Sequence, residues 1–259
     1  MPNRLQQLFT TRPENLLSVY FTAGYPALDD TLVLAKKLED AGADFLEIGF
    51  PFSDPLSDGP VIQHSSHEAL KNGMNLTYLF GQLAALRPAI KIPVILMGYF
   101  NPVLQYGIER FCADAEKAGV DGVIIPDLPM VEFEQFYSKV FEKHNLSNIF
   151  LVTPQTAETR IRKIDTLSNA FIYLLSSSSI TGSSLQIDTV SETYFKRLQA
   201  MNLHNPLMIG FGISSHKSFK EACTYTAGAI IGSAFIRALD EGKDVATWVK
   251  SIREQPVTA

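Results

Sequence analysis

A repeated alternation constrains this chain more than any other feature: eight short apolar runs, each followed by a stretch with helical spacing. The runs cover residues 16–22, 45–49, 94–99, 122–126, 149–153, 171–175, 207–211 and 229–232. They are nearly continuous in apolar residues, the pattern of parallel strands covered on both faces rather than strands with one wet face. Between them, Leu34/Leu38/Ala41, Phe133/Phe136/Tyr137/Val140/Phe141 and Val245/Trp248/Val249/Ile252 recur at i, i+3, i+4 and i+7, which predicts helices with one buried stripe. Ala41-Gly42, Ala118-Gly119 and Ala227-Gly228 fall where a helix stops and a strand begins, a place suited to glycine in the left-handed conformation. Eight βα units in 259 residues, about 32 each, predict an α/β fold of the closed (β/α)8, or TIM-barrel, type rather than an open doubly wound sheet. No Gly/Ser/Pro-rich linker divides the chain, so residues 1–259 are read as one barrel domain.

Composition narrows the function classes. Twenty-two Lys plus Arg against 27 Asp plus Glu, without a basic stripe, gives no footprint for nucleic acid. The longest apolar stretches fall short of the roughly 20 residues a membrane helix needs, so no membrane partner is expected. The first eleven residues are polar and lack an apolar signal core, and Cys112 and Cys223 are isolated thiols in segments read as helices. A reducing, cytoplasmic setting without disulfides is expected.

In a barrel of this kind the chemistry sits at the C-terminal ends of the strands and in the loops beyond them. Period-two alternation groups Phe45, Glu47 and Gly49 on one face of the second strand and Leu46, Ile48 and Phe50 on the other. The aliphatic face suits packing against helices, which turns Glu47 into the barrel. Desolvation there would raise its pKa and fit it for proton transfer, while a structural carboxylate paired with a cation is the alternative reading. The loop that follows, residues 51–60, is punctuated by prolines and carries Asp54 and Asp58. Asp54 reads best as a turn former. Asp58, near the loop's end, can fold back to face Glu47, giving two carboxyls in unlike surroundings that can divide acid and base roles. The alternating acids and closing Glu of a calcium loop are absent.

Gly210-Phe211-Gly212 after the seventh strand and Gly232-Ser233 opening a helix after the eighth expose backbone N–H groups, with Thr181-Gly182 after the sixth to add more. Glycine-bearing loops in register at strands six to eight predict a phosphate pocket. His64 and His67 lack a third metal ligand and read as a solvated helix face, so no metal is expected. Tyr173 shares a strand face with Phe171 and Leu175; it is either a core residue or an inward hydroxyl that orients Glu47. No strand contains a lysine, which argues against an imine-forming aldolase. Acid–base chemistry on a small phosphorylated substrate remains.

The run from Phe45 to Gln63, FLEIGFPFSDPLSDGPVIQ, resembles the signature of the tryptophan synthase alpha chain family. The resemblance extends to Phe21-Thr22-Ala23-Gly24-Tyr25-Pro26, Gly98-Tyr99-Phe100-Asn101-Pro102, Pro126-Asp127-Leu128-Pro129, Tyr173-Leu174-Leu175-Ser176 with Thr181-Gly182, Gly210-Phe211-Gly212-Ile213-Ser214 and Gly232-Ser233-Ala234, nearly the whole chain. It implies retro-aldol cleavage of indole-3-glycerol phosphate to indole and glyceraldehyde 3-phosphate. Glu47 would be the acid–base residue, Asp58 would hold the indole N–H, and Tyr173 would position Glu47. Gly182, Gly212, Gly232 and Ser233 would hold the phosphate, and Tyr20, Ile62, Met97, Phe211 and Thr181 would line the indole pocket. The resemblance also implies no cofactor in this chain and a pyridoxal phosphate beta chain as partner in an α2β2 heterotetramer, with Asp54, Asn101 and Pro102 on the shared surface. The sixth loop departs from the pattern: Ser176-Ser177-Ser178-Ser179 stands where many members carry an Arg or a Gly-Val pair. Two other functions fit a phosphate-binding barrel: a lyase or isomerase of a phosphoribosyl substrate, for which Asp127 is the spare acid, and a non-catalytic barrel that only activates a partner.

Overall fold

Strands that are apolar on both faces demand a sheet covered inside and out. The computed structural model, which describes residues 1–175, 189–210 and 212–255 and only the backbone of 189–190, closes that sheet on itself. The strands are β1 Leu16–Thr22, β2 Phe45–Gly49, β3 Val94–Met97, β4 Gly122–Ile124, β5 in two halves Ser147–Ile149 and Leu151–Val152, β6 Ile172–Leu175, β7 Leu207–Gly210 and β8 Gly228–Ile231. Every pairing is parallel, and β1 lies between β2 and β8. The first half of β5 pairs with β4 and the second with β6. Tyr173 N–H donates to the Phe150 carbonyl at 2.9 Å across the break, so the interruption in β5 is where the ring closes.

Alternation sorts the side chains as the barrel requires. Leu16, Phe45, Ile95, Ile124, Ile149, Phe171, Met208 and Ile230 point inward and pack as one cluster, while Leu17, Leu46, Val94, Val123 and Ile209 join the helices outside. An element not read from the sequence, the helix Arg4–Thr11, plugs the N-terminal end of the barrel with Leu5, Leu8 and Phe9. Phe9 meets Phe45 and Phe171 with ring centroids 6.1 and 5.4 Å apart. Its signals are the apolar trio at i, i+3, i+4 and the capping box in which Asn3 and Gln6 each accept from the other's backbone N–H.

Two local expectations need correction. Phe136 is not on a buried stripe: residues Phe133–Tyr137 form a π-helical turn, whose wider spacing keeps Phe133 inside and leaves Phe136 62% exposed. Gly228 is not a left-handed cap as Gly42 and Gly119 are, with φ of 97° and 78°. It opens β8, where an added Cβ would lie 2.0 Å from the Leu16 carbonyl oxygen. Cys112 and Cys223 are free thiols on helices Ile108–Ala118 and His216–Cys223. No helix among the described residues is long and apolar enough to cross a membrane.

The N-terminal end of the barrel is held by buried carboxylates. Asp121, just before β4, accepts from Val94 N–H at 2.9 Å and from Arg87 at 2.7 Å, and pairs with Arg4 at 3.1 Å. Asp121→Ala strands the mostly buried Arg87 and the Val94 N–H, and is expected to cost about 3 kcal/mol of stability, read as a lower urea midpoint with an unchanged slope.

Candidate active site

Glu47 sits in the middle of β2, opposite Tyr20 on β1 and Ile95 on β3. It is fully buried. The Ser18 hydroxyl donates to Oε1 at the long distance of 3.5 Å, and Oε2 has no partner. Among the described residues it makes no salt bridge, so the structural reading of a carboxylate locked to a cation does not hold. Burial pushes its pKa up to about 8, a value at which the group carries a proton at neutral pH and can give it up.

Asp58 ends the loop between β2 and the helix Pro60–Lys71. Its N–H donates to the Pro55 carbonyl at 3.0 Å, and Gln63 Nε2 donates back to its own carbonyl at 2.8 Å. These turns fold the carboxyl toward the mouth, where Tyr99 donates to Oδ2 at 3.1 Å. Burial raises its pKa to about 6, opposed by the Tyr99 bond. The two acids therefore differ in kind: Glu47 is protonated at neutral pH and Asp58 mostly ionised.

Both act on the same two phenols. Burial first, then the fields of Asp58 and Glu47, push the Tyr20 phenol well above its usual pKa; burial, Glu47 and Asp58 do the same to Tyr173. The two phenols lie across neighbouring strands. An added Cβ on Gly49 would lie 2.1 Å from Tyr20 Oη, and one on Gly210 would lie 1.9 Å from Tyr173 Oη, so neither position has room for a side chain. Tyr20, Phe50, Phe52, Asp58, Met97 and Tyr99 line one narrow cleft. Ile62 and Tyr20 both come within 3.4 Å of where a Cβ on Gly232 would be, which sets the apolar wall beside the eighth loop.

Gly232 caps the helix Ser233–Asp240, and Gly212, with φ of 76°, follows β7 on the adjacent strand. The first N–H groups of that helix have no acceptor within it and carry its positive end. Thr181, Gly182, Phe211 and the serines 176–179 lie outside the described residues. At the same end of the barrel, Asp54 and Asn101 are exposed and Pro102 is half-buried, and Leu56, in the loop that carries Asp54, is 90% exposed. His64 and His67 are exposed on their helix, and among the described residues no three His, Cys, Asp or Glu side chains form a metal-binding group. Ser18 and Tyr99 are the contacts of the two acids that reading the sequence missed. Each carries a hydroxyl within or just beyond an apolar strand, a signal that an inward-facing register makes meaningful.

Comparison with known proteins agrees with this geometry. The family model described as tryptophan synthase alpha chain matches residues 7–257. The tryptophan synthase alpha chain of Flavobacterium psychrophilum is 54% identical over 239 residues, 92% of this chain and 94% of that one. That of Christiangramia forsetii is 50% identical over 253 residues, 97% and 98% of the two chains. Among solved structures, tryptophan synthase subunit alpha from Legionella pneumophila superposes with a TM-score of 0.87 at 32% identity, covering 98% of both chains. Tryptophan synthase from Mycobacterium tuberculosis superposes at 0.88 with 28% identity and the same coverage.

Proposed function

The chain belongs to the tryptophan synthase alpha chain family, and from that premise we propose that Glu47 and Asp58 are the catalytic carboxyls of its reaction. That reaction is the carbon–carbon lyase step of tryptophan biosynthesis, cleavage of indole-3-glycerol phosphate. The alpha chain needs no cofactor of its own; pyridoxal phosphate belongs to the beta chain with which it forms an α2β2 complex. One observation carries the assignment: a fully buried glutamate without a counter-cation among the described residues, one oxygen unpartnered, whose field falls together with that of Asp58 on Tyr20 and Tyr173.

The chemistry follows from the two protonation states. Glu47, protonated at neutral pH, gives its proton to C3 of the indole, and the ring becomes an N-protonated indolenine with positive charge at nitrogen. Asp58, ionised, accepts the indole N–H and stabilises that charge in surroundings that exclude water. The carboxylate left on Glu47 takes the proton of the hydroxyl on the adjoining glycerol carbon. The bond from that carbon to C3 breaks, its electron pair neutralises the ring, and indole and glyceraldehyde 3-phosphate separate with Glu47 again protonated. Tyr173 and Tyr20 restrict the movement of Glu47, and Tyr20, Ile62 and Met97, with Phe211 and Thr181, wall the indole. The phosphate is held by backbone N–H groups at Gly212, Gly232 and Ser233 and by Gly182. Asp54, Asn101 and Pro102 belong to the surface that meets the beta chain. The whole chain, residues 1–259, works as one barrel in the cytoplasm.

The direct test is release of indole from indole-3-glycerol phosphate, with and without the beta chain; no indole in either case overturns the reading. Asp58→Asn is expected to lower kcat about 100-fold, because the neutral amide cannot answer the developing charge. Its KM should change little, since the phosphate contacts remain.

A further inference from the structure

Tyr99 stands two residues beyond the end of β3, 7% exposed, with its ring packed on Phe52 at 5.2 Å between centroids. Its hydroxyl makes two bonds to consecutive residues of the neighbouring loop. It accepts from Ser57 N–H at 2.9 Å and donates to Asp58 Oδ2 at 3.1 Å. Among the described residues the loop's other hydrogen bonds near Asp58 are local: Leu56 N–H to Asp54, Asp58 N–H to Pro55, and Gln63 back to Asp58 and Pro55. Such turns shape the loop but do not tie it to the barrel. The phenol does, because the residue that carries it continues from a strand.

We propose that Tyr99 is a positioning residue for Asp58: it occupies Oδ2 from the rim of β3, leaves Oδ1 to meet the indole N–H, and holds the loop at Ser57. This rests on the role given to Asp58 above. A carboxyl has two equivalent oxygens, and a donor fixed on one of them selects a single orientation before substrate arrives. The bond also favours the ionised form against burial, which works in the other direction. Among the described residues, the titratable groups whose fields meet around Asp58 are Tyr20 on β1, Glu47 on β2, Tyr99 beyond β3 and Tyr173 on β6. None of these is a cation, so the phenol's proton is the positive end that faces Asp58 from β3.

Tyr99→Phe keeps the ring on Phe52 and removes only the hydroxyl. In the complex with the beta chain it is expected to lower kcat about tenfold with little change in KM. The acidic limb of its pH–rate profile should move up by about one pH unit, since a lost charge-assisted hydrogen bond makes Asp58 harder to ionise. Carbon-13 NMR of the Asp58 carboxyl, assigned by its loss in Asp58→Asn, should show the same upward movement in the isolated chain. Binding of inorganic phosphate should be unchanged. An unshifted acidic limb together with an unshifted Asp58 titration overturns the proposal even if the rate falls, for that would be loss of packing alone. If the wild type releases no indole, the functional reading fails, whereas the NMR titration still decides whether Tyr99 governs Asp58.

Discussion

Glu47→Gln is expected to lose indole release by at least three orders of magnitude while keeping its affinity for glycerol 3-phosphate. Glutamine has nearly the shape of glutamic acid, so the cavity and the anion cradle at Gly212 and Gly232 are left intact, but the amide cannot donate a proton to C3 and then accept one from the hydroxyl. Removing a group that acts twice in one turnover falls at the upper end of what general acid–base catalysis contributes, roughly 100-fold to 10,000-fold. The pH dependence sharpens the expectation. The reaction begins from protonated Glu47 and ionised Asp58, so the wild-type rate should fall above about pH 8 as Glu47 loses its proton, and below about pH 6 as Asp58 gains one. Residual turnover by the glutamine variant should lack the alkaline limb and keep the acidic one. Equal rates for variant and wild type, or a loss confined to phosphate binding, would remove Glu47 from the chemistry.

How much of this was readable from the residues depends on the physical range of each signal. Strand periodicity is local, and it placed Glu47 inside the barrel because Leu46 and Ile48 so clearly belong to the helix-facing side. Both are packed there. Glycine at a strand end is also a local signal, and Gly49 and Gly210 prove to be spaces for phenols that arrive from the strands next to them. Contacts between units have no such signature. That Tyr99, 41 residues further along, would meet Asp58 depends on the register of β3 against β2, which no window of sequence carries. The same limit explains Phe136. Its spacing fits a helical stripe, but a π turn at Phe133–Tyr137 breaks the period and turns the ring to solvent. The N-terminal helix was hidden for the opposite reason: its apolar face is three residues wide, and only a barrel with an open end makes use of it.

The arrangement that makes Glu47 useful should also make it costly to the fold, and Glu47→Gln should show this as a pH-dependent gain in stability. In the unfolded chain the carboxyl titrates near 4.5; in the barrel it keeps its proton to about 8. Between those values the folded state binds a proton that the unfolded state has released, so stability falls as pH rises, by up to about 1.4 kcal/mol per pH unit. Below the window both states are protonated and the burial carries no such cost; above it the full cost, several kcal/mol, is present. Glutamine never ionises and escapes the effect. Its amide must, however, sit where Oε2 now has no partner, and an unsatisfied N–H group there costs roughly 1–3 kcal/mol at every pH. The two contributions have opposite sign and only one varies with pH. Near pH 5 the variant should be slightly less stable than the wild type, and near pH 8.5 more stable by about 2 kcal/mol, with the difference changing sign in between. Urea unfolding of both proteins at the two pH values measures this directly. A difference that stays constant would mean that Glu47 titrates normally in the folded barrel, and with that the acid at C3 would have to be another group.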